Sequence, residues 1–136
     1  MDKWLLILGC AVFVILGAAH LWLTLFSNKI EPRDAALVDA MKTISPMLTR
    51  QTTMWKAWVG FNVSHSLGAI LFGLIYIVLA LENYAYLKSS LVLNGLVLLV
   101  PVSYLVLAVK YWFRKPRNGI VVALVLILAS IAVRMS

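Results

Sequence analysis

Apolar residues fall in four blocks, separated by shorter polar stretches, and the blocks set the architecture. Positions 4–26, 54–81, 91–113 and 119–133 are almost free of charge, and each of the first three is long enough to cross a hydrocarbon core as a helix of roughly 20 residues. A chain in lipid must satisfy its backbone hydrogen bonds internally, so each block reads as a transmembrane helix. Trp4 and Trp22 stand near the ends of the first block, where interfacial anchors belong. The expected fold is all-α: a four-transmembrane-helix bundle forming a single membrane domain over residues 1–136, with antiparallel neighbours.

Between the first two blocks lies the longest polar connection, 27–53. Leu37, Met41, Ile44 and Leu48 recur there at helical spacing opposite Asp39 and Lys42, which predicts a short amphipathic helix on the membrane surface. Pro32 suits its first position, Asp34 the positive end of its dipole, and Ser45-Pro46 its end. Glu82 and Lys88 bracket a short turn before the third block, and Arg114, Lys115, Pro116, Arg117 and Asn118 read as a tight basic turn before the fourth. That last block is nearly all aliphatic and reads as a structural wall facing lipid. Pro101 predicts a kink in the third.

The second block carries the most informative pattern. On a helix at 100° per residue, Trp55, Trp58, Asn62, His65, Ser66, Ala69, Gly73 and Tyr76 share one face, and Gly60, Ser64, Leu67 and Leu71 occupy the other. Gly60, Ser64 and Gly68 form a small-residue row at four-residue spacing, which predicts close packing within the bundle, with self-association as the alternative. In the first block, Gly9, Phe13, Leu16, Gly17, His20, Leu23 and Thr24 lie on one side.

Composition agrees with the blocks. The chain is 63% hydrophobic and 12% charged, against about 25% charged in soluble domains. The net charge of +7 flanks the apolar blocks instead of forming a nucleic-acid-binding stripe, and so reports topology and contact with anionic lipid. Lys29, Arg33, Lys42, Arg50, Lys56, Lys110, Arg114, Lys115 and Arg117 cluster at the first and third connections, against Lys3, Lys88 and Arg134 on the other side. The positive-inside bias therefore predicts cytoplasmic first and third connections, with both termini exterior. Cys10 stands alone, which excludes an intrachain disulfide and a cysteine-based metal site.

Candidate chemistry centres on two histidines. His20 lies six residues before the end of its block, roughly 9 Å deep at 1.5 Å per residue, and His65 roughly 15 Å from the same surface. The two imidazoles are expected to converge. Ionisable groups inside a span mark a functional-site hypothesis. With Thr24, Trp55, Trp58, Asn62 and Ser66, they outline a polar, aromatic-lined site between the first two helices for a small ligand or lipid. A bis-histidine b-type haem held by His20 and His65, serving membrane electron transfer, is the alternative. Hydrogen bonding that merely fixes helix register competes with both. No catalytic residue is assigned: no carboxylate lies inside a span to drive a proton antiporter or orient a hydrolytic triad, and no phosphate-cradling glycine motif occurs.

The run Gly17-x-x-His20, with Thr52-Thr53-Met54-Trp55-Lys56-Ala57-Trp58-Val59-Gly60-Phe61-Asn62-Val63-Ser64-His65-Ser66-Leu67-Gly68, resembles an uncharacterised family of small bacterial four-span membrane proteins. The likeness takes in Pro32 and Ser45-Pro46. It implies a bacterial inner-membrane protein and supplies no activity. The expected role is that of a small-ligand- or lipid-binding or scaffold subunit. Its partners are the bilayer and either a second copy or another membrane protein; nucleic acid is not among them.

Overall fold

The computed structural model describes residues 1–135; Ser136, the end of the expected domain, lies outside the described residues. Among the described residues six helices follow one another: α1 (Asp2–Phe26), α2 (Ala35–Thr43), α3 (Met54–Glu82), α4 (Tyr84–Ser89), α5 (Leu91–Tyr111) and α6 (Arg114–Met135). The protein is an all-α membrane bundle. Helices α1, α3, α5 and α6 are long and apolar enough to cross a bilayer, and only 17–33% of each spanning window is buried by the rest of the chain. Water would not tolerate that much outward-facing Leu, Val, Ile and Phe on a monomer. Hydrocarbon does, and there the helical backbone bonds are also worth most.

The boundaries differ from the sequence expectation in four places, each for a local reason. Pro32 is not the first residue of α2: Asp34 caps that helix, its carboxylate accepting from the Ala36 amide at 2.9 Å, so Pro32 stays in the preceding loop. The helix is also shorter than the apolar spacing implied. Ile44 is already extended and accepts from the Met54 amide at 2.8 Å, closing the loop that leads into α3. Before the third span stands a short helix, not a turn, because the Asn83 side chain caps Tyr86 and Leu87 is wholly buried. The basic turn at 114–118 is the opening of α6, and only Trp112 and Phe113 separate it from α5. Pro116 fits there because the first-turn amides have no intrahelical acceptor to lose.

Packing groups the residues into two compact units, Met1–Leu16 with the chain from Ala69 onward, and Gly17–Gly68. The first holds the apolar core. Phe13 meets Phe72 and Tyr104 edge to face at 5.0 and 5.5 Å between ring centroids, among Ala69, Ala108, Ile120 and Ala123. Leu6, Cys10, Tyr76, Ala80, Leu87, Val97 and Ile127 form a second cluster, so Cys10 acts as a small buried apolar side chain. Gly73 allows the close approach of α1 and α3: a β-carbon there would sit 2.5 Å from the Cys10 carbonyl oxygen.

One packing expectation is corrected and another extended. The row Gly60, Ser64, Gly68 is exposed, and a β-carbon on Gly60 meets nothing within 4 Å, so the row does not pack within the bundle. The last span keeps the expected outward aliphatic face, with Val121, Val122, Val125 and Leu128 exposed, but its inner face does more than form a wall. Ser130 is fully buried, its hydroxyl donating to the Asp2 carbonyl at 2.8 Å, and Ala123 and Ile127 press on Gly9.

Candidate functional site

All seven candidate residues belong to the unit Gly17–Gly68 or border its end, on the last third of α1 and the first half of α3. The helical face inferred for α3 is the inward one: Asn62 and His65 are half-buried and Ser66 is buried, whereas Gly60, Ser64 and Leu67 are exposed.

The core of the site is a bond between helices. His20 Nε2 and Asn62 Oδ1 are 3.0 Å apart. Asn62 Nδ2 donates to the Trp58 carbonyl at 2.8 Å, which orients the amide with its oxygen toward His20. An amide oxygen only accepts, so His20 Nε2 carries a proton and donates. His65 lies beside it, the two imidazoles meeting edge to face at 5.7 Å between centroids. The histidines converge, but the strong polar partner of His20 is Asn62.

Thr24 and Ser66 serve differently. The Thr24 hydroxyl donates to the His20 carbonyl and Ser66 to the Asn62 carbonyl, each at 2.8 Å and each one turn back on its own helix. Such back-bonding satisfies a hydroxyl in apolar surroundings without a distant partner. These two residues therefore brace the backbone carbonyls under His20 and Asn62 and do not line a cluster with the imidazoles.

Toward the start of α3 the site becomes aromatic. Trp55 and Trp58 stack at 5.3 Å with planes 27° apart. The Lys42 ammonium, from α2, lies 5.4 Å from the centre of the Trp55 ring. A cation over an indole face is attracted by its quadrupole. Lys42 was not among the residues singled out from sequence. The signal was its place on the polar side of α2, opposite Leu37 and Met41, and helix periodicity alone does not say that α2 turns that side toward Trp55.

The arrangement runs from a cation on α2, through stacked indoles, to the His20–Asn62 hydrogen bond with the His65 ring edge-on beside it. Such a sequence suits an amphiphile: an acidic or hydroxylated head near Lys42, an apolar body along the indoles, and polar atoms at His20 and His65. It suits a haem axial pair less well. That pair presents ring nitrogens to one iron from opposite sides of a macrocycle, whereas these rings meet edge to face and His20 Nε2 is given to Asn62. Among the described residues no group of three or more His, Cys, Asp or Glu is placed to hold a metal ion.

A second polar assembly, not foreseen from sequence as a unit, lies in the other packing unit and joins α1, α4, α5 and α6. The Tyr84 hydroxyl donates to the Asp2 carboxylate at 2.6 Å. Arg134 donates through one terminal nitrogen to Asn94 Oδ1 at 2.9 Å and through the other to the Ser130 hydroxyl at 3.0 Å, with its guanidinium 5.4 Å from the centre of the Tyr84 ring. Arg134 occupies the last turn of α6, where the helix dipole favours a cation. Burial, and next the bond to Asp2, push the Tyr84 phenol up to about 12. This assembly fastens helix ends.

No protein-family model, curated protein or solved structure matches the chain.

Proposed function

We propose that this is a small multi-pass protein of the bacterial inner membrane. Its first two spans hold an intramembrane binding site for a small amphiphile or lipid, and it serves as a ligand-binding or scaffold subunit of a larger membrane assembly. The observation that carries the reading is the directed bond from His20 to Asn62 with His65 edge-on beside it, next to an indole stack covered by Lys42. Register alone needs one interhelical hydrogen bond. It does not need a second imidazole, two stacked indoles and a cation over them.

Cytoplasmic first and third connections, and exterior termini, belong to the same proposal and rest on the lysine and arginine bias. Its partners are the lipid bilayer and, for the scaffold role, a second copy or another membrane protein. The bacterial setting rests on the family resemblance of the Trp55–Gly68 stretch.

Native mass spectrometry of gently solubilised protein tests the binding role. A co-purifying molecule retained by the wild type and lost in both His20→Ala and Trp55→Ala is the expected result. A wild type that carries no small molecule, with His20→Gln and His65→Gln indistinguishable from it in stability and assembly, would reduce the site to a packing seam. A Soret absorption band lost in both histidine variants would favour haem instead. A terminal tag protected from external protease in intact spheroplasts would overturn the orientation.

A further inference from the structure

We propose that the junction of α5 and α6 is a docking surface for anionic phospholipid headgroups, separate from the histidine site and independent of the function proposed for it. Because α6 begins at Arg114, the four cations Lys110, Arg114, Lys115 and Arg117 are gathered within about two turns around a two-residue connection. Lys110, Arg114 and Lys115 are exposed. Neither α5 nor α6 contains an acidic residue, and among the described residues none of the four cations forms an ion pair. Within α5 and α6 nothing neutralises this charge.

Nor does the helix benefit from it. Arg114, Lys115 and Arg117 stand at the start of α6, toward the positive end of its dipole, where cations are disfavoured. Their counter-charge does not come from α5 or α6. What supplies it follows from the neighbouring residues: Tyr111 and Phe113 are 72% and 70% exposed and alternate with the cations at the end of a membrane span. Exposed aromatic rings at a span end sit at headgroup depth, and the lysine and arginine stems can reach along the apolar zone while their heads stay among phosphates. A soluble polyanion would meet the charge but not the aromatic rings. An anionic leaflet meets both.

Each cation near a membrane surface favours an anionic leaflet by roughly fivefold, and the preference decays within a Debye length of about 10 Å at 0.1 M salt. The test uses full-length protein in nanodiscs containing equal phosphatidylcholine and phosphatidylglycerol. The lipids that stay bound when the protein is released in native mass spectrometry are then counted. The wild type is expected to retain phosphatidylglycerol several-fold over phosphatidylcholine. The variant with Lys110→Gln, Arg114→Gln, Lys115→Gln and Arg117→Gln is expected to bring the ratio near one. A comparison variant with Lys29→Gln, Arg33→Gln and Arg50→Gln, three exposed cations of the other packing unit, is expected to keep more of the enrichment than the quadruple variant does. Two double variants, Lys110→Gln with Arg117→Gln and Arg114→Gln with Lys115→Gln, cover the case in which the quadruple variant does not fold; each is expected to lose part of the enrichment. A wild-type ratio of one, or undiminished enrichment in the quadruple variant or in both doubles, would overturn the proposal. So would inorganic phosphate displacing the lipid more than sodium chloride does at equal ionic strength, because the site would then belong to a soluble anion.

Discussion

The approach of α1 to α3 can be tested with a single β-carbon. Substituting Gly73→Ala places that carbon 2.5 Å from the Cys10 carbonyl oxygen and 2.6 Å from a Val14 methyl. The methyl can rotate away. The carbonyl belongs to the backbone of α1 and cannot, so the two helices must separate by something near 0.9 Å to restore an ordinary contact of 3.4 Å. Overpacking of this kind costs about 1–3 kcal/mol. Replacing glycine by alanine in a helix returns up to about 1 kcal/mol of propensity, leaving a net loss of up to about 2 kcal/mol. Gly60→Ala, on the same helix but in open space, supplies the reference. Propensity and unfolded-chain terms largely cancel in the difference between the two variants, so the gap of about 1–3 kcal/mol isolates the steric term. Reversible unfolding in mixed detergent and SDS micelles, followed by circular dichroism, measures it. If Gly73→Ala proved as stable as Gly60→Ala, α1 and α3 would not approach as closely as described.

The other predictions concern polar contacts. A double-mutant cycle with His20→Leu and Asn62→Leu should return a coupling of about 0.6–2 kcal/mol, the range of hydrogen bonds between membrane helices. His20→Gln, which keeps a donor, should recover part of it; zero coupling would mean the bond contributes nothing. Arg134→Ala should destabilise by about 1–2 kcal/mol, a value discounted because the side chain is only half-buried. Arg134→Lys should recover only part, since one ammonium cannot reproduce the fork that serves Asn94 and Ser130 together. With the Tyr84 phenol pushed up to about 12, its contribution is fully present below its ordinary value near 10 and is lost as pH rises through 12. The loss of stability between pH 10 and 12 in detergent should therefore be shallower in Tyr84→Phe. An identical slope in both proteins would remove Tyr84 as its source.

Helix α3 shows how much of the site was legible beforehand. Its inward face, from Trp55 through Asn62 and His65 to Tyr76, follows from counting 100° per residue, because Asn62, His65 and the aromatic residues Trp55, Trp58 and Tyr76 fall together on one side. The partner of His20 was not legible. Both His65 and Asn62 lay on the right face, and which met His20 Nε2 depended on the relative rotation of α1 and α3. The same holds for Lys42 over Trp55 and for Arg134 with Asn94 and Ser130. Each pairs residues from different helices, and periodicity carries no information about such pairings. Residues 114–118 read as a turn yet open α6, since a proline in a first turn costs no hydrogen bond.

Sequence by itself determined the class and the number of spans. An apolar block of about 20 residues has one way to satisfy its backbone in lipid, and that requirement acts within the block without reference to any neighbour. It also determined which residues share a face, since the helical repeat is a property of the local chain. Tertiary structure decided which faces meet: Asn62 against His20, the Lys42 ammonium over Trp55, Gly73 against Cys10, and the Gly60 row left outward. Those choices depend on helix rotation and separation, set by the packing of side chains far apart in the chain.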